Sequence, residues 1–219
     1  MELFLDTANI EEIRQGVRLG VLRGVTTNPT LASREGIGDL RDYRHAVQEI
    51  AQLVEGPISV EVVAEDVGEM LTQGRDIAQW APNVWVKLPS TSAGLEAMQV
   101  LAREGIRINQ TLCFSVNQAL LGAWAGATVV SPFVGRLDDA GQEGMQVVAD
   151  IVTVFRRYQF PTKVMAASIR HPLHVVAAAK AGADIATVPL KVLMQMTQHP
   201  LTDAGVASFT RDWQRAVKV

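Results

Sequence analysis

Eight short apolar segments alternate with longer amphipathic segments along this chain of 219 residues. The short segments have the length and composition of β-strands, and the segments between them have helical periodicity. Such repeated units predict a parallel sheet with right-handed crossovers, and eight units favour a closed barrel over an open sheet. We therefore predict an α/β protein with a single (β/α)8 TIM barrel and extra C-terminal helices. The predicted strands are Leu3–Asp6, Gly24–Thr27, Ile58–Val62, Val84–Leu88, Arg107–Leu112, Thr128–Pro132, Thr162–Ala167 and Asp184–Val188.

The predicted helices have recognisable ends. Ser92 and Ser115 are suitable N-caps, and glycines that are typical of helix C-termini follow three helices, namely Gly105, Gly126 and Gly182. No linker interrupts the pattern, so we predict one domain over residues 1–219 with a helical appendage at about 190–219. The predicted helices are about Asn9–Gly20, Asp39–Val54, Val67–Trp80, Ser92–Glu104, Val116–Ala125, Gln142–Tyr158, Pro172–Ala181, Leu190–Gln198 and Thr202–Val217.

Composition and charge argue against several classes of protein. Hydrophobic residues make up 48% of the chain and charged residues 20%, as in a soluble globular protein, and the net charge of −3 disfavours a broad nucleic-acid-binding face. No apolar stretch reaches the roughly 20 residues of a membrane span, and no secretory signal is visible after Met1. The lone cysteine, Cys113, allows no disulfide within the chain. These features predict a cytoplasmic protein that binds neither nucleic acid nor membranes.

A lysine, Lys87, lies inside an apolar strand, in the run Val84–Pro89. Side chains alternate along a strand, so Trp85 and Lys87 share one face. Burial disfavours the charged form of an amine, and a neutral amine can form a Schiff base with a carbonyl group. Lys87 is therefore a candidate nucleophile that points into the barrel. The alternative is a lysine at a strand end whose amine reaches back to water.

Polar residues collect at the C-terminal ends of the predicted strands, where active sites of (β/α)8 barrels lie. If Lys87 points inward, these residues converge on it. Two acids near a buried amine suit proton transfer and the stabilisation of an iminium, and the arginines after the sixth and seventh strands suit a phosphate. The converging residues are Asp6, Asn28, Glu61, Asn109, Thr111 and Ser131, and the arginines are Arg136 and Arg170.

Each of these residues also has a purely structural explanation. The segment Asp6–Asn9 could cap the first helix, and Asn28–Pro29 could form a turn. Glu61 could pair with Lys87 for structure alone, and both arginines could be ordinary surface residues. Their shared location at one end of the barrel favours a functional site.

Several segments together carry a family resemblance: Phe4–Ala8, Gly24–Pro29, Val86–Pro89, Asn109–Leu112, Ser131–Arg136, Ala166–Pro172 and His199–Asp203. In these segments the chain resembles the short form of the transaldolase family, a group that also includes the fructose-6-phosphate aldolases. The resemblance spans essentially the whole chain. It implies sugar-phosphate substrates and neither a metal nor an organic cofactor, and His171 and His174 have no third ligand pattern beside them.

The resemblance also implies roles for individual residues. Lys87 matches the Schiff-base lysine, and Asp6 matches the acid/base that handles the proton of a sugar hydroxyl. Glu61 and Thr111 match the pair that holds a catalytic water. The remaining matches are Asn28 and Asn109 for the substrate hydroxyls, Ser131 and Phe133 for the donor site, and Arg136, Ser168 and Arg170 for the phosphate.

Two positions separate the activities within this group. Fructose-6-phosphate aldolases typically carry Gln at the position of Glu61 and Tyr at that of Phe133. Glu can pass a proton, whereas Gln cannot, and Phe offers no hydroxyl near an enamine. These residues favour a transaldolase, which transfers a dihydroxyacetone unit, over an aldolase that releases free dihydroxyacetone. The third alternative is a non-catalytic barrel that binds a sugar phosphate.

The last predicted helix carries apolar residues, around Phe209 and Trp213, that a complete barrel does not need. This helix could pack on its own barrel. The family resemblance implies instead that it packs on a neighbouring subunit, and that the protein is a homo-oligomer, either a pentamer or a decamer.

Overall fold

The computed structural model describes residues 1–217 and contains a closed barrel of eight parallel strands. The strands are β1 Glu2–Asp6, β2 Gly24–Thr26, β3 Ile58–Glu61, β4 Val84–Pro89, β5 Ile108–Cys113, β6 Val129–Pro132, β7 Lys163–Ala166 and β8 Ile185–Val188. Each strand pairs with the next along the chain, and β8 pairs with β1 to close the sheet. The predicted (β/α)8 TIM barrel is therefore confirmed.

Eleven helices lie within residues 1–217. They are α1 Ile10–Arg18, α2 Pro29–Arg34, α3 Leu40–Leu53, α4 Val67–Ile77, α5 Ser92–Arg103, α6 Val116–Trp124, α7 Val134–Asp139, α8 Gly144–Arg157, α9 Pro172–Ala181, α10 Leu190–Gln195 and α11 Pro200–Val217. Every predicted helix is present, with differences confined to the ends. The sequence prediction missed α2 and α7, two helices of 6 residues that each follow a strand after one or two intervening residues.

The helix caps follow the predictions with one exception. Ser115 caps α6, since its Oγ accepts a hydrogen bond from a main-chain N–H at 3.2 Å. The predicted C-terminal glycines have positive φ angles of 83°, 94° and 82°, for Gly105, Gly126 and Gly182 respectively. The prediction that Ser92 caps α5 is wrong, because Ser92 is the first helical residue. The hydroxyl of Thr91 accepts the capping N–H instead, at 3.0 Å.

Alternation along β4 places its side chains on opposite sides of the barrel wall. Val84, Val86 and Leu88 belong to the large core between the barrel and the helices. On the other face, Trp85 joins a buried apolar cluster that fills the barrel interior, and Lys87 follows it towards the C-terminal end. The cluster consists of Phe4, Trp85, Val129, Met165 and Ile185. The predicted inward direction of Lys87 is therefore confirmed.

The two C-terminal helices have different surroundings. α10 packs beside α1 and α9 and buries Val192 and Leu193, so it occupies the place of the eighth barrel helix. In α11 none of the described residues is buried. The predicted domain and its appendage extend to Lys218 and Val219, which lie outside the described residues. No helix within residues 1–217 is both long enough and apolar enough to cross a membrane.

Candidate active site

A cavity opens at the C-terminal ends of the barrel strands, where the sequence predicts the site. Most of the predicted site residues line it: Asp6, Asn28, Lys87, Asn109, Ser131, Phe133, Arg136, Ser168 and Arg170. Glu61 and Thr111 do not form part of its wall, although Glu61 contacts Lys87 directly. The fold therefore brings together residues that are spread from β1 to the segment after β7.

The amine of Lys87 is held inside the barrel, and only 4% of the residue is exposed. Its Nζ donates a hydrogen bond to the main-chain oxygen of Thr27 at 2.8 Å and lies 3.0 Å from Oε2 of Glu61. Thr27 follows β2 and Glu61 ends β3, so two neighbouring strand ends hold the amine. A buried charge is stable only with such partners. The alternative in which Lys87 extends its amine to water is therefore wrong.

Asp6 ends β1 and lies beside Thr26 in the register of β1 and β2. The hydroxyl of Thr26 donates to Oδ1 of Asp6 at 2.6 Å. Since that hydroxyl has one proton, the hydroxyl of Thr187, 2.6 Å away, donates to Thr26 in turn. Burial raises the pKa of Asp6, and this effect outweighs the opposing influence of the Lys87 amine. A carboxyl group in such surroundings can both take up and return a proton.

The two structural explanations that concern caps and turns have different outcomes. Within the segment Asp6–Asn9, it is Asn9 that caps α1, with its Oδ1 accepting a main-chain N–H at 2.9 Å, whereas Asp6 lines the cavity. Asn28 does begin a helix, because its Oδ1 accepts a main-chain N–H at 3.0 Å and caps α2. It also lines the cavity, so a structural cap and a candidate binding residue coincide.

Helix α2 contributes a part of the cavity wall that the sequence prediction missed. The dipeptide Asn28–Pro29 is a typical N-cap and first helical residue, and this signal could have revealed the helix. β2 lies across the closed barrel from β6, so the arginine of α2 adds a cation on the side opposite Arg136. The cavity residues from α2 are Thr30, Leu31 and Arg34.

A chain of hydrogen bonds fixes the side chain of Asn109. Its Nδ2 donates to the hydroxyl of Ser59 at 3.0 Å, and its Oδ1 accepts from the hydroxyl of Ser131 at 2.6 Å. Asn109 is also the register partner of Lys87 across β4 and β5. Thr111, two residues further on, has a buried hydroxyl with no hydrogen-bond partner among the described residues. The inward face of β5 therefore combines a fixed amide with an unsatisfied hydroxyl.

Two arginines lie exposed at the mouth of the cavity. The guanidinium of Arg136 lies 5.1 Å from the ring centre of Phe133, which is within cation–π range. Nη2 of Arg170 lies 2.7 Å from Oδ2 of Asp139. Both guanidinium groups remain open to solvent, so they can reach a ligand that enters the mouth.

The segments that follow β6 and β7 touch at Gly135. Its N–H donates to the main-chain oxygen of Ser168 at 3.0 Å. A Cβ atom at Gly135 would lie 2.3 Å from that oxygen and 2.4 Å from Nε of Arg170. Ser168 itself has a φ of 57°, a left-handed conformation that is uncommon outside glycine. The contact therefore holds Ser168 and Arg170 close to α7, the helix that carries Arg136.

The predicted histidine pair lies beside these segments. The rings of His171 and His174 have centres 3.7 Å apart, and Nε2 of His174 lies 3.1 Å from Oδ2 of Asp138. Burial lowers the pKa of His174, which favours its neutral form. Within the part of the chain that the structure describes, no group of three or more His, Cys, Asp or Glu residues could hold a metal ion.

The site lies at the strand ends of a (β/α)8 barrel, and its buried amine beside a carboxylate is an arrangement that suits Schiff-base chemistry. The profile of the Transaldolase/Fructose-6-phosphate aldolase family matches residues 3–219. A protein named "Probable transaldolase" from Dehalococcoides mccartyi is 62% identical over 219 residues, with 100% of both chains covered. One of the same name from Desulforudis audaxviator is 58% identical over 218 residues, again with 100% of both covered. The chain belongs to the transaldolase/fructose-6-phosphate aldolase family.

A more distant likeness concerns the fold alone. The structure of a thiamine phosphate pyrophosphorylase from Pyrococcus furiosus superposes with a TM-score of 0.61 and 16% sequence identity. The match covers 86% of this chain and 85% of that chain. At this identity the two proteins share the barrel, and the chemistry of each depends on its own strand ends.

Asp6→Asn is expected to stabilise the folded protein at neutral pH. Burial raises the pKa of Asp6 above the ordinary 3.8, so the wild type loses stability as rising pH ionises this carboxyl group in the folded state. Asparagine cannot ionise, and it keeps an oxygen for the Thr26 hydroxyl. The unfolding temperature of the variant should exceed that of the wild type at about pH 7 and approach it at about pH 3.

The measurement is thermal unfolding across this pH range at one protein concentration. Asp212→Asn, on the exposed surface of α11, is the matched control and should follow the wild-type curve at every pH. An Asp6→Asn protein that is less stable than the wild type at neutral pH would contradict the raised pKa.

Proposed function

We propose that this protein is a transaldolase, which moves a dihydroxyacetone unit from a ketose phosphate to an aldose phosphate. The donors are sedoheptulose 7-phosphate or fructose 6-phosphate, and the acceptors are glyceraldehyde 3-phosphate or erythrose 4-phosphate. The observation that carries the proposal is the buried amine of Lys87, 3.0 Å from Glu61 and facing the same cavity as Asp6. Membership of the family and the names of the relatives support the same reaction.

The reaction begins at Lys87. Its amine, in the neutral form, attacks C2 of the ketose phosphate, and the adduct loses the former carbonyl oxygen as water to give an iminium. Glu61 is close enough to move the protons of these steps, through a water that it shares with Thr111. The buried hydroxyl of Thr111 has no partner among the described residues, which suits a water ligand.

Asp6 then acts on the carbon–carbon bond. Its carboxylate takes the proton of the C4 hydroxyl, the C3–C4 bond breaks, and the bonding electrons move into the iminium to form an enamine. The aldose phosphate leaves, and the enamine attacks the aldehyde carbon of a second aldose phosphate. Asp6 returns its proton to the new alkoxide, and hydrolysis of the iminium frees Lys87. The raised pKa of Asp6 suits a group that must both take and return this proton.

The remaining residues of the cavity position the substrate in this proposal. Guanidinium groups bind phosphates through paired, charge-assisted hydrogen bonds, and the two arginines at the mouth are exposed. A phosphate would compete with Asp139 for Arg170. We assign Asn28 and Asn109 to the sugar hydroxyls, Ser131 and Phe133 to the donor-binding wall, and Arg136, Ser168 and Arg170 to the phosphate.

The second candidate function is a fructose-6-phosphate aldolase, in which the enamine is protonated and free dihydroxyacetone is released. Two residues favour transfer over release. Glu61 can pass protons, and Phe133 places an apolar ring at the cavity, packed against Phe114 with ring centres 5.7 Å apart.

A non-catalytic sugar-phosphate-binding barrel is disfavoured, because it would not need a buried amine between two acids.

We also propose that the protein works as a homo-oligomer, a pentamer or a decamer. The support is α11, whose exposed apolar side chains form an unpartnered face on an 18-residue helix. Exposed patches of this kind mark interaction sites, and a second copy of the chain is the proposed partner. The exposed fractions are 76%, 60%, 77% and 72% for Leu201, Val206, Phe209 and Trp213.

Lys87→Ala should abolish covalent labelling by borohydride in the presence of fructose 6-phosphate. Borohydride reduces the iminium to a stable secondary amine, and the variant has no amine in the cavity to form it. The measurement is the mass of the intact protein, followed by location of the modified residue. Lys163→Ala and Lys191→Ala are controls and should label like the wild type. A label on either of these lysines would contradict the assignment.

Phe133→Tyr should raise the release of dihydroxyacetone from fructose 6-phosphate and lower transfer to erythrose 4-phosphate. A tyrosine adds a hydroxyl, with a reference pKa of about 10, that can hold a water or donate a proton to the enamine. Both rates are measured on one preparation, with and without acceptor. Phe114→Tyr is the control. A wild type that releases dihydroxyacetone as fast as it transfers it would favour the aldolase.

Sedimentation should give a mass of five or ten times the 23.8 kDa protomer. Replacing Phe209 and Trp213 together by serine removes apolar surface from α11, so the assembly should dissociate. Replacing the exposed Arg211 and Arg215 by serine is the control for changes to the polar side of this helix. A wild-type protein that sediments as an active monomer would rule out the proposed assembly.

A further inference from the structure

One tyrosine from the helix layer reaches the strand ends that hold the Lys87 amine. Tyr43 belongs to α3, outside the barrel, and is 3% exposed. Its ring packs edge-on against Trp80, with ring centres 5.7 Å apart. Its hydroxyl forms a short hydrogen bond with the hydroxyl of Thr27, the residue whose main-chain oxygen accepts from Lys87. Tyr43 is therefore one residue removed from the amine.

The protons in this contact can be assigned. The hydroxyl of Thr27 donates to the main-chain oxygen of Ser59 at 2.9 Å, which uses its one proton. Tyr43 must then donate to Thr27. The hydroxyls of Tyr43 and Thr27 and the main-chain oxygen of Ser59 therefore form one chain of hydrogen bonds. The Tyr43 hydroxyl thus holds the side chain of Thr27, the residue after β2, against Ser59 of β3.

The main-chain oxygen of Thr27 lies at a rung of the sheet that is missing among the described residues. Between β2 and β3 the N–H of Val25 donates to the oxygen of Pro57, and that of Thr27 to the oxygen of Ser59, each at 2.9 Å. The next rung of a parallel ladder would run from the N–H of Glu61 to the oxygen of Thr27. That oxygen accepts instead from Nζ of Lys87 at 2.8 Å.

We propose that Tyr43 is a positioning residue for Lys87. By holding Thr27 against β3, it fixes the direction of the main-chain oxygen that accepts from the amine. The inference rests on the proposed Schiff-base function, and it adds a residue from the helix layer to the control of the nucleophile. A merely structural tyrosine would contribute its packing on Trp80 and nothing to the behaviour of Lys87.

Tyr43→Phe separates these roles, because it keeps the ring and removes the hydroxyl. The hydroxyl of Thr27 then loses its donor, and Thr27 is held less firmly against β3. The hydrogen bond from Lys87 to the main-chain oxygen of Thr27 is then less well aligned. The amine becomes less firmly placed, and this hydrogen bond stabilises its ammonium form less.

The experiment measures the rate of borohydride trapping with fructose 6-phosphate as a function of pH. Among residues 1–217, Asp6 on β1 and Glu61 on β3 are the ionisable groups that face the amine, and β5 presents the neutral Asn109. For Tyr43→Phe we expect the trapping rate to reach a plateau about tenfold lower than that of the wild type. The rising limb of the pH profile, where the trapping rate increases with pH, should move to lower pH. The KM for fructose 6-phosphate should stay within about twofold, because no arginine is changed.

Two controls isolate the hydroxyl. Trp80→Phe disturbs the packing of Tyr43 without touching its hydroxyl, and Tyr158→Phe removes an exposed hydroxyl far from the site. Both should keep the wild-type pH profile, even if Trp80→Phe lowers the unfolding temperature. A Tyr43→Phe protein with the wild-type plateau and limb would overturn the proposal, and so would a Trp80→Phe protein with the same shift.

A second variant covers the case in which Tyr43→Phe does not fold. Thr27→Val removes the acceptor that orients the Tyr43 hydroxyl and should give the same lower plateau and shifted limb. An unchanged profile there overturns the proposal. A wild type that is never trapped at Lys87 would instead remove the proposed function itself, so the two failures are distinguishable.

Discussion

The placement of one amine in a closed apolar barrel is the constraint on which the rest of the site depends. The amine of Lys87 has polar partners inside the protein because Oε2 of Glu61 and the main-chain oxygen of Thr27 lie 3.0 and 2.8 Å from its Nζ. Removing one member of a buried pair typically costs about 3–5 kcal/mol, so these partners serve stability as well as chemistry. The ends of β2 and β3 meet this requirement, since the main-chain oxygen of Thr27 accepts from Lys87 and not from the N–H of Glu61.

The inward-facing side chains form two layers along the barrel axis, an apolar layer below and a polar layer at the C-terminal ends of the strands. Strand alternation puts Trp85 in the apolar cluster and Lys87 two residues later in the polar ring, and Phe4 and Asp6 repeat this order on β1. The lower layer excludes water and holds the barrel closed. The upper layer can then present charges in surroundings where their mutual influence is strong. This is the reason that burial dominates the pKa of Asp6.

Much of this was predictable from the sequence, because both the alternation of elements and strand parity are local properties. The direction of Lys87 followed from strand parity, and the gathering of strand-end residues followed from the barrel topology, which places the C-terminal ends of all strands together. Tyr43 and Thr187 could not be found in this way, since their contacts depend on how α3 packs and how β8 meets β1. Helix α2 was not predicted, because Asn28–Pro29 suits a turn as well as a helix start. Arg34, which lies on α2, was therefore not predicted as a cavity residue. The roles of the site residues and the assembly stay predictions.

The contact at Gly135 divides the rim of the cavity into a rigid half and an adaptable half. On the β6–β7 side, a single added carbon would collide with the chain carrying Ser168 and Arg170, so that side tolerates little redesign. On the opposite side, Thr30 and Arg34 of α2 are exposed and can be exchanged without disturbing a packed neighbour. An engineer who wishes to widen the range of acceptor sugars should therefore diversify α2 and leave the arginine-bearing segments intact.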